Sequence, residues 1–250
     1  MATRDDTDLA HFSIDGSALE RTLGAILGHD VDDADLYLEH TISDSVSLEE
    51  GIVKKAGRTV RQGAGVRAIS GERTGYAHTD EIDDLRLLEA AHAARAIARS
   101  GSDHAAVPII SSPSGSSLYA TSEEDPTLEE KLTLLQAIDE RARAYDSRVE
   151  QVMASVSMSQ KTVAIVKGDG QILLDQRPLV RLNVSCIVVE NGKRQVGSAG
   201  GGGRYPYARI ESDSLWQDLV DDAARRAIVN LSAIDAPAGE MDVVLGPGWP

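Results

Sequence analysis

Residues 179–190 alternate between two faces of an extended chain. Leu182, Val184, Cys186 and Val188 fall on one side, Arg181, Asn183 and Ser185 on the other. A period of two is the signature of a β-strand with one face on a core and the other toward solvent. Asn191-Gly192 follows at once, and both residue types take the positive φ angles of a two-residue hairpin turn. A strand that ends this way needs an antiparallel neighbour, so the chain must build an antiparallel sheet.

The rest of the sequence supplies more of the same material. Between Ala34 and Asp80, short β-type runs at Leu36, Leu38, Val46-Ser47-Leu48, Ile52-Val53, Val60, Val66 and Ile69 are punctuated by Gly51, Gly57, Gly63, Gly65, Gly71 and Gly75. They read as an antiparallel meander. Val149, Val152 and Val156 open a further strand, Val163 to Val166 another, and Gly168-Asp169-Gly170 turns into Ile172-Leu173-Leu174.

Helices alternate with these runs. Leu19, Leu23, Ile26 and Leu27 line one side of residues 16–28, which Gly28 ends. Leu87, Ala91, Ala94 and Ala98 do so over 83–99, with Arg95 and Arg99 suited to the C-terminal end and Gly101 as the stop. Thr127 with Glu130 three residues on forms a capping-box pattern, and Leu128, Leu132, Leu135, Ile138 and Ala142 continue as a stripe to Tyr145. Trp216, Val220, Ala223, Ala227 and Leu231 mark a last helix over 213–231.

The fold class expected is α+β, with antiparallel sheets packed against amphipathic helices in two α/β units. The units are expected over 1–105 and 126–235, joined by a Ser/Pro/Gly-rich linker over 106–125. Residues 236–250 read as the first strand of a third unit, because Val243-Val244-Leu245 starts an apolar run that Gly246-Pro247-Gly248-Trp249-Pro250 cuts short.

Charge narrows the function classes. Lys and Arg number 25 against 40 Asp and Glu, a net charge of −15. Phosphates repel such a chain at long range, which argues against duplex nucleic acid or an anionic membrane as partner. Its acidity suits either plain solubility or a high-salt habitat. Cys186 is the single cysteine and Met1 to Asp8 is polar and acidic. No internal disulfide, zinc knuckle or secretory signal is therefore expected, and the location expected is the cytoplasm.

No catalytic constellation emerges from the residue types. The histidines His11, His29, His40, His78, His92 and His104 include no pair four apart, and none precedes a Glu, so no HExxH-type zinc site is present. Cys186 lies among Val and Ile and reads as a small core residue. The most unusual local feature is Gly200-Gly201-Gly202-Gly203 followed by Arg204. It fails as a phosphate loop, since Lys-Ser/Thr does not follow. Two readings stand. One is a backbone surface that a ligand or another chain approaches closely, with Arg204 to pair a carboxylate. The other is a flexible connection from hairpin to helix.

Three stretches carry a resemblance. They are Gln62 to Ala77 (Gln62-Gly63-Ala64-Gly65-Val66-Arg67 onward); Arg177-Pro178-Leu179-Val180-Arg181-Leu182-Asn183-Val184-Ser185 with Gly192-Lys193-Arg194 and Gly200 to Arg204; and Val229-Asn230-Leu231-Ser232-Ala233 through Gly239-Glu240 to Pro250. Taken together, in this order, they resemble the TldD branch of the TldD/PmbA family of metallopeptidases, also called modulators of DNA gyrase. The resemblance implies peptide hydrolysis by zinc-activated water, on unfolded or ribosomally made peptides, by a heterodimer with a TldE/PmbA-type subunit. The family's H-E-x-x-x-H helix and later cysteine lie beyond the matching Gly-Pro-Gly-Trp-Pro segment, so no catalytic residue and no metal ligand carries over. The chain is therefore expected to be the N-terminal portion of such an enzyme and inactive alone, with no cofactor of its own and zinc in the full-length protein. A stand-alone module that binds peptide or a partner subunit is the alternative. Gly200, Gly201, Gly202, Gly203 and Arg204 are the candidate substrate-binding residues.

Overall fold

The computed structural model describes residues 9–27, 30–98, 119, 125–212, 214–244 and 246. Six strands form one antiparallel sheet in the order β3-β2-β1-β4-β5-β6. They are β1 (Asp33–Glu49), β2 (Ile52–Ser70), β3 (Arg73–Thr79), β4 (Val149–Lys167), β5 (Ile172–Glu190) and β6 (Lys193–Gly203). Five α-helices and a 3-10 turn (Ala10–Phe12) accompany them among the described residues: α1 (Gly16–Ile26), α2 (Asp84–Ala98), α3 (Leu128–Tyr145), α4 (Ala208–Ser212) and α5 (Leu215–Leu231). The α+β class is as expected from the sequence.

The strands are longer than the sequence pattern suggests. Val46 to Leu48 and the runs at Leu36 and Leu38 are parts of one strand, as are Val149 to Val156 and Val163 to Val166. Gly57, Gly63 and Gly65 lie inside β2 rather than between strands. The cause is the distribution of cover. The helices pack over the two ends of the sheet and leave its middle half-buried, so Glu39 to Ser45, apart from Ile42, and Ser159 to Lys161 carry polar side chains in unbroken strand. Of the four hairpin turns, two are two-residue turns with both residues at positive φ: Glu50-Gly51, at 53° and 73°, and Asn191-Gly192, at 51° and 79°. Both are the mirror-image hairpin turns that Asn-Gly favours.

The two halves repeat. In each, a helix precedes a three-stranded meander and a second helix follows it: α1-β1-β2-β3-α2, then α3-β4-β5-β6 and, past the short α4, α5. Central strands β1 and β4 pair so that Leu36 faces Val166 and Leu48 faces Ala154. A local two-fold axis between them thus carries each β1 residue onto the β4 residue 118 positions on, Leu36 onto Ala154 and Leu48 onto Val166.

One core cluster gathers Leu19, Leu23 and Ile26 of α1, Leu87, Ala91 and Ala94 of α2, and the sheet residues Leu36, Leu38 and Val66. The other gathers Leu135 and Ile138 of α3, Val220, Ala223 and Ala227 of α5, and Val46, Val152, Leu182, Val184 and Cys186 of the sheet. Even-numbered residues of β1 serve both clusters, so all the helix cover lies on one face of the sheet.

Close approach of each outer helix depends on one glycine. An added Cβ at Gly75 of β3 would stand 1.8 Å from the Ala94 carbonyl oxygen of α2. At Gly197 of β6 it would stand 2.2 Å from the Ala223 oxygen and the Ala227 nitrogen of α5. The two glycines occupy equivalent places in the two halves.

Several expectations fall outside the described residues: Gly28, Arg99, Gly101 and, apart from Tyr119 and Asp125, the linker over 106–125. Residues 1–105 and 126–235 each give three adjacent strands to one continuous sheet. Val243 and Val244 are 72% and 94% exposed in irregular chain, and join no strand.

Candidate functional site

The glycine run ends an edge strand. Gly200 to Gly203 pair with Asn183 to Val180 of β5, and β6 is the last strand of the sheet. The run is thus ordered strand and not the flexible connection of the second reading, because β5 supplies partners for it on one side. The other edge of β6 has no strand beside it among the described residues, so every second backbone amide and carbonyl there points outward.

Neighbours explain why these positions lack side chains. A Cβ at Gly200 would stand 2.7 Å from Asn183 Oδ1, and one at Gly201 3.1 Å from Leu219 of α5. At Gly202 it would meet the Val180 carbonyl oxygen at 2.1 Å, and at Gly203 the Tyr205 ring at 2.4 Å. Asn183 is held by Arg181, whose Nε donates to Oδ1 at 3.0 Å. The run therefore brings β6 close to α5 on one face and, at Gly200 on the other, makes room for the Arg181-Asn183 pair of β5.

Arg204 leaves the strand exposed. Its guanidinium lies 5.4 Å from the centre of the Tyr119 ring, a cation–π distance. Among the described residues it makes no ion pair with a carboxylate.

The chain then turns through Tyr205-Pro206-Tyr207 into a cleft of about 230 Å³. The walls come from the uncovered middle of the sheet, the start of α3 and α4, and include Asp44, Glu130, Met158, Tyr205, Tyr207 and Glu211. Tyr207 is 5% exposed, and burial, with the charges of Glu211 and Glu130 nearby, raises its phenol above the ordinary range. Glu130 belongs to the capping box expected from sequence. Its carboxylate accepts from the Thr127 amide at 2.7 Å, and the Glu130 amide donates to Thr127 Oγ1 at 3.2 Å. The bonds its carboxylate accepts hold the group below its usual pKa. Asp44 takes Lys131 at 3.4 Å and Arg58 at 3.3 Å.

The sequence singles out the glycines and Arg204 but not the cleft they lead to. Tyr205-Pro206-Tyr207 directly after Arg204 is the signal it offers. Asp44, Glu130 and Glu211 are far apart in sequence, and only the packing of α3 and α4 onto the sheet brings them together.

Other candidates resolve simply. Cys186 is fully buried, and burial together with Asp139 pushes its thiol up to about 11; it is a core residue. Burial and the nearby His11 lower the pKa of His40, whose ring centre is 6.3 Å from that of His11. Among the described residues no three His, Cys, Asp or Glu converge to hold a metal. Among the described residues no helix is long and apolar enough to cross a membrane.

Known proteins share this arrangement. The PmbA/TldA metallopeptidase domain 1 profile matches residues 34–98, and the central domain profile matches 121–231. The Metalloprotease TldD homolog of Haemophilus influenzae is 41% identical over 233 residues, covering 90% of this chain and 48% of that protein. Its counterpart in Buchnera aphidicola subsp. Schizaphis graminum is 36% identical over 232 residues, covering 89% and 47%. The chain thus spans about half the length of these relatives.

Among solved structures, a DNA-gyrase modulator from Thermotoga maritima superposes with a TM-score of 0.64 at 17% identity, over 89% of this chain and 50% of that one. TldE from Thermococcus kodakarensis does so with a TM-score of 0.58 at 14% identity, over 85% and 47%. At these identities the likeness is one of fold. Two consecutive domain matches, the relatives' identity and the shared fold agree: the chain belongs to the TldD/PmbA metallopeptidase family.

Proposed function

We propose that these 250 residues are the N-terminal, peptide-holding part of a TldD-like metallopeptidase. At full length it hydrolyses unfolded or ribosomally made peptides, in the cytoplasm and paired with a TldE/PmbA-type subunit. The observation that carries this reading is the 41% identity to a Metalloprotease TldD homolog across 90% of the chain. The zinc is held outside these residues, where it supplies the Lewis acid of the reaction. What this chain contributes is position.

An extended peptide adds to the outer edge of β6, bonding main chain to main chain as a strand does. Gly200 and Gly202 add no side chain of their own beside its path. Arg204, exposed at the end of the edge, pairs with a substrate carboxylate, and the Tyr205-Tyr207 cleft takes a neighbouring side chain.

Arg204→Ala in the full-length, zinc-loaded protein tests the assignment. Weaker peptide binding is expected, with unchanged zinc content and a near-normal melting temperature. A fall of many degrees in melting temperature, with affinity preserved in the folded fraction, would mean that the arginine serves the fold instead. The 250-residue chain alone should hold no stoichiometric zinc and cleave no peptide. One tightly bound zinc per chain, or chelator-sensitive turnover, would overturn that division of labour.

A further inference from the structure

The longest unpartnered feature of the fold is the outer edge of β2. β3 pairs only with Ala64 to Ser70, which leaves residues 52–63 without a strand on that side among the described residues. Residues 52–62 are exposed on both faces of the sheet as well. At about 3.4 Å per residue this bare edge runs roughly 40 Å. It carries apolar side chains in water: Ile52, Val53 and Val60 are 60%, 43% and 55% exposed.

Its charge is opposite to that of the chain. No Asp or Glu occurs from Gly51 to Gly71, whereas Lys54, Lys55, Arg58, Arg61 and Arg67 do, in a protein of net charge −15. Arg58 reaches Asp44 at 3.3 Å yet stays 56% exposed. Lys54, Lys55 and Arg61 make no ion pair among the described residues.

Basic side chains on an edge ordinarily discourage strand pairing. Here they discriminate instead. Pairing of two copies of β2 about Gly57-Arg58 would set Lys54 opposite Arg61, and like charges directly opposed are destabilising. An acidic strand meets the reverse situation: carboxylates on one of its faces meet Lys55 and Arg61, and apolar side chains on its other face meet Val60. We propose that the 52–63 edge of β2 is a docking site for an extended acidic strand of a different polypeptide, added to the sheet by main-chain hydrogen bonds. This site lies at the opposite end of the strand order from β6 and does not depend on the peptidase reading.

The test uses the whole 250-residue chain and a fluorescein-labelled peptide of about ten residues alternating Glu and Val. Two control peptides accompany it. One has the same sequence with alternate backbone nitrogens methylated; the other has Lys in place of Glu. Anisotropy should show the Glu-Val peptide binding at least about tenfold more tightly than either control, a difference of about 1.4 kcal/mol. Hydrogen exchange should show new protection in 52–63. The variant K54E/K55E/R61E, altered only at exposed positions and checked for folding by circular dichroism, should lose at least about tenfold in affinity. Absence of binding, equal binding of the methylated peptide, protection at β6 instead, or unchanged affinity of the charge-reversed variant would overturn the proposal. So would sedimentation that reveals a dimer of this chain built on the same edge.

Discussion

Gly197→Ala should weaken the fold through a single carbon atom. The backbone at Gly197 is ordinary strand, so alanine suits its φ and ψ; only space is lacking. The added Cβ would sit 2.2 Å from the Ala223 oxygen and the Ala227 nitrogen. Both are backbone atoms of α5, so no rotamer can yield, and the helix must withdraw by about 1 Å to restore normal contact. A gap of about that size forfeits roughly a quarter to a half of each dispersion contact. α5 buries Val220, Ala223, Ala224, Ala227 and Leu231. At about 2 kcal/mol for each larger side chain and about 0.8 kcal/mol for each alanine, that face contributes roughly 6–7 kcal/mol. Losing a quarter to a half of it costs about 1.5–3.5 kcal/mol, offset by about 0.4–1 kcal/mol from the stiffer unfolded chain. The net loss of about 1–3 kcal/mol corresponds to a fall in Tm of roughly 2–12 °C for a protein of this size. Thermal melts followed by circular dichroism read it directly. Gly57→Ala is the matched control, because it too lies in strand but its Cβ meets nothing within 4 Å. Its Tm should stay level or rise slightly. Equal melting of the two variants would refute the claim that glycine sets the helix-to-sheet distance.

Gly75→Ala, the two-fold counterpart, should lose at least as much Tm as Gly197→Ala, since its Cβ would stand 1.8 Å from the Ala94 oxygen. Thr127→Ala should cost about 1 kcal/mol by removing the helix cap, measured as a shift in urea midpoint. The Glu130 carboxyl has a folded pKa below its ordinary 4.5, so its contribution is full above that value and fades as pH falls through the lower one. Glu130→Gln should therefore flatten the stability profile on the acid side of about pH 4.5 and leave the slope near pH 7 unchanged. Lys131→Met should destabilise by leaving Asp44, whose side chain is 12% exposed, with only the exposed Arg58 as partner; adding Asp44→Asn should recover part of the loss in a double-mutant cycle, with independent, additive losses counting against the pair. Cys186, its thiol pushed up to about 11, should resist iodoacetamide at pH 8 in the native state and react once guanidinium unfolds the chain, as mass spectrometry would record.

Local chemistry makes much of this protein legible from residue order alone. The capping box at Thr127 and Glu130, the stripes of the four longer helices, the turn at Asn191-Gly192 and the buried strand face through Cys186 all depend on neighbours a few residues away, and the order of residues fixes such neighbours. Strand lengths do not follow the same rule. Glu39 to Ser45, polar apart from Ile42, read as a break in the strand begun at Leu36. They continue it because β2 and β4 pair with them on both sides, a fact of the sheet and not of the segment. Gly200 to Gly203 read as loop for a related reason: glycine is costly to order alone, and only β5 on one edge and α5 on one face make the order worthwhile.

The two-fold repeat and the cleft belong wholly to tertiary structure. Composition and periodicity record which side chains want burial, but not which buried faces meet. The chain order α1-β1-β2-β3-α2 repeats in its second half, yet the axis exists only because β1 pairs with β4 rather than with an edge strand. Asp44, Glu130 and the Tyr207-Glu211 pair come from three segments and share a cleft because the helices cover the ends of the sheet and leave its middle open. Periodicity is set between residues a few apart, whereas a cleft is set by the relative placement of packed elements, which many long-range contacts decide together.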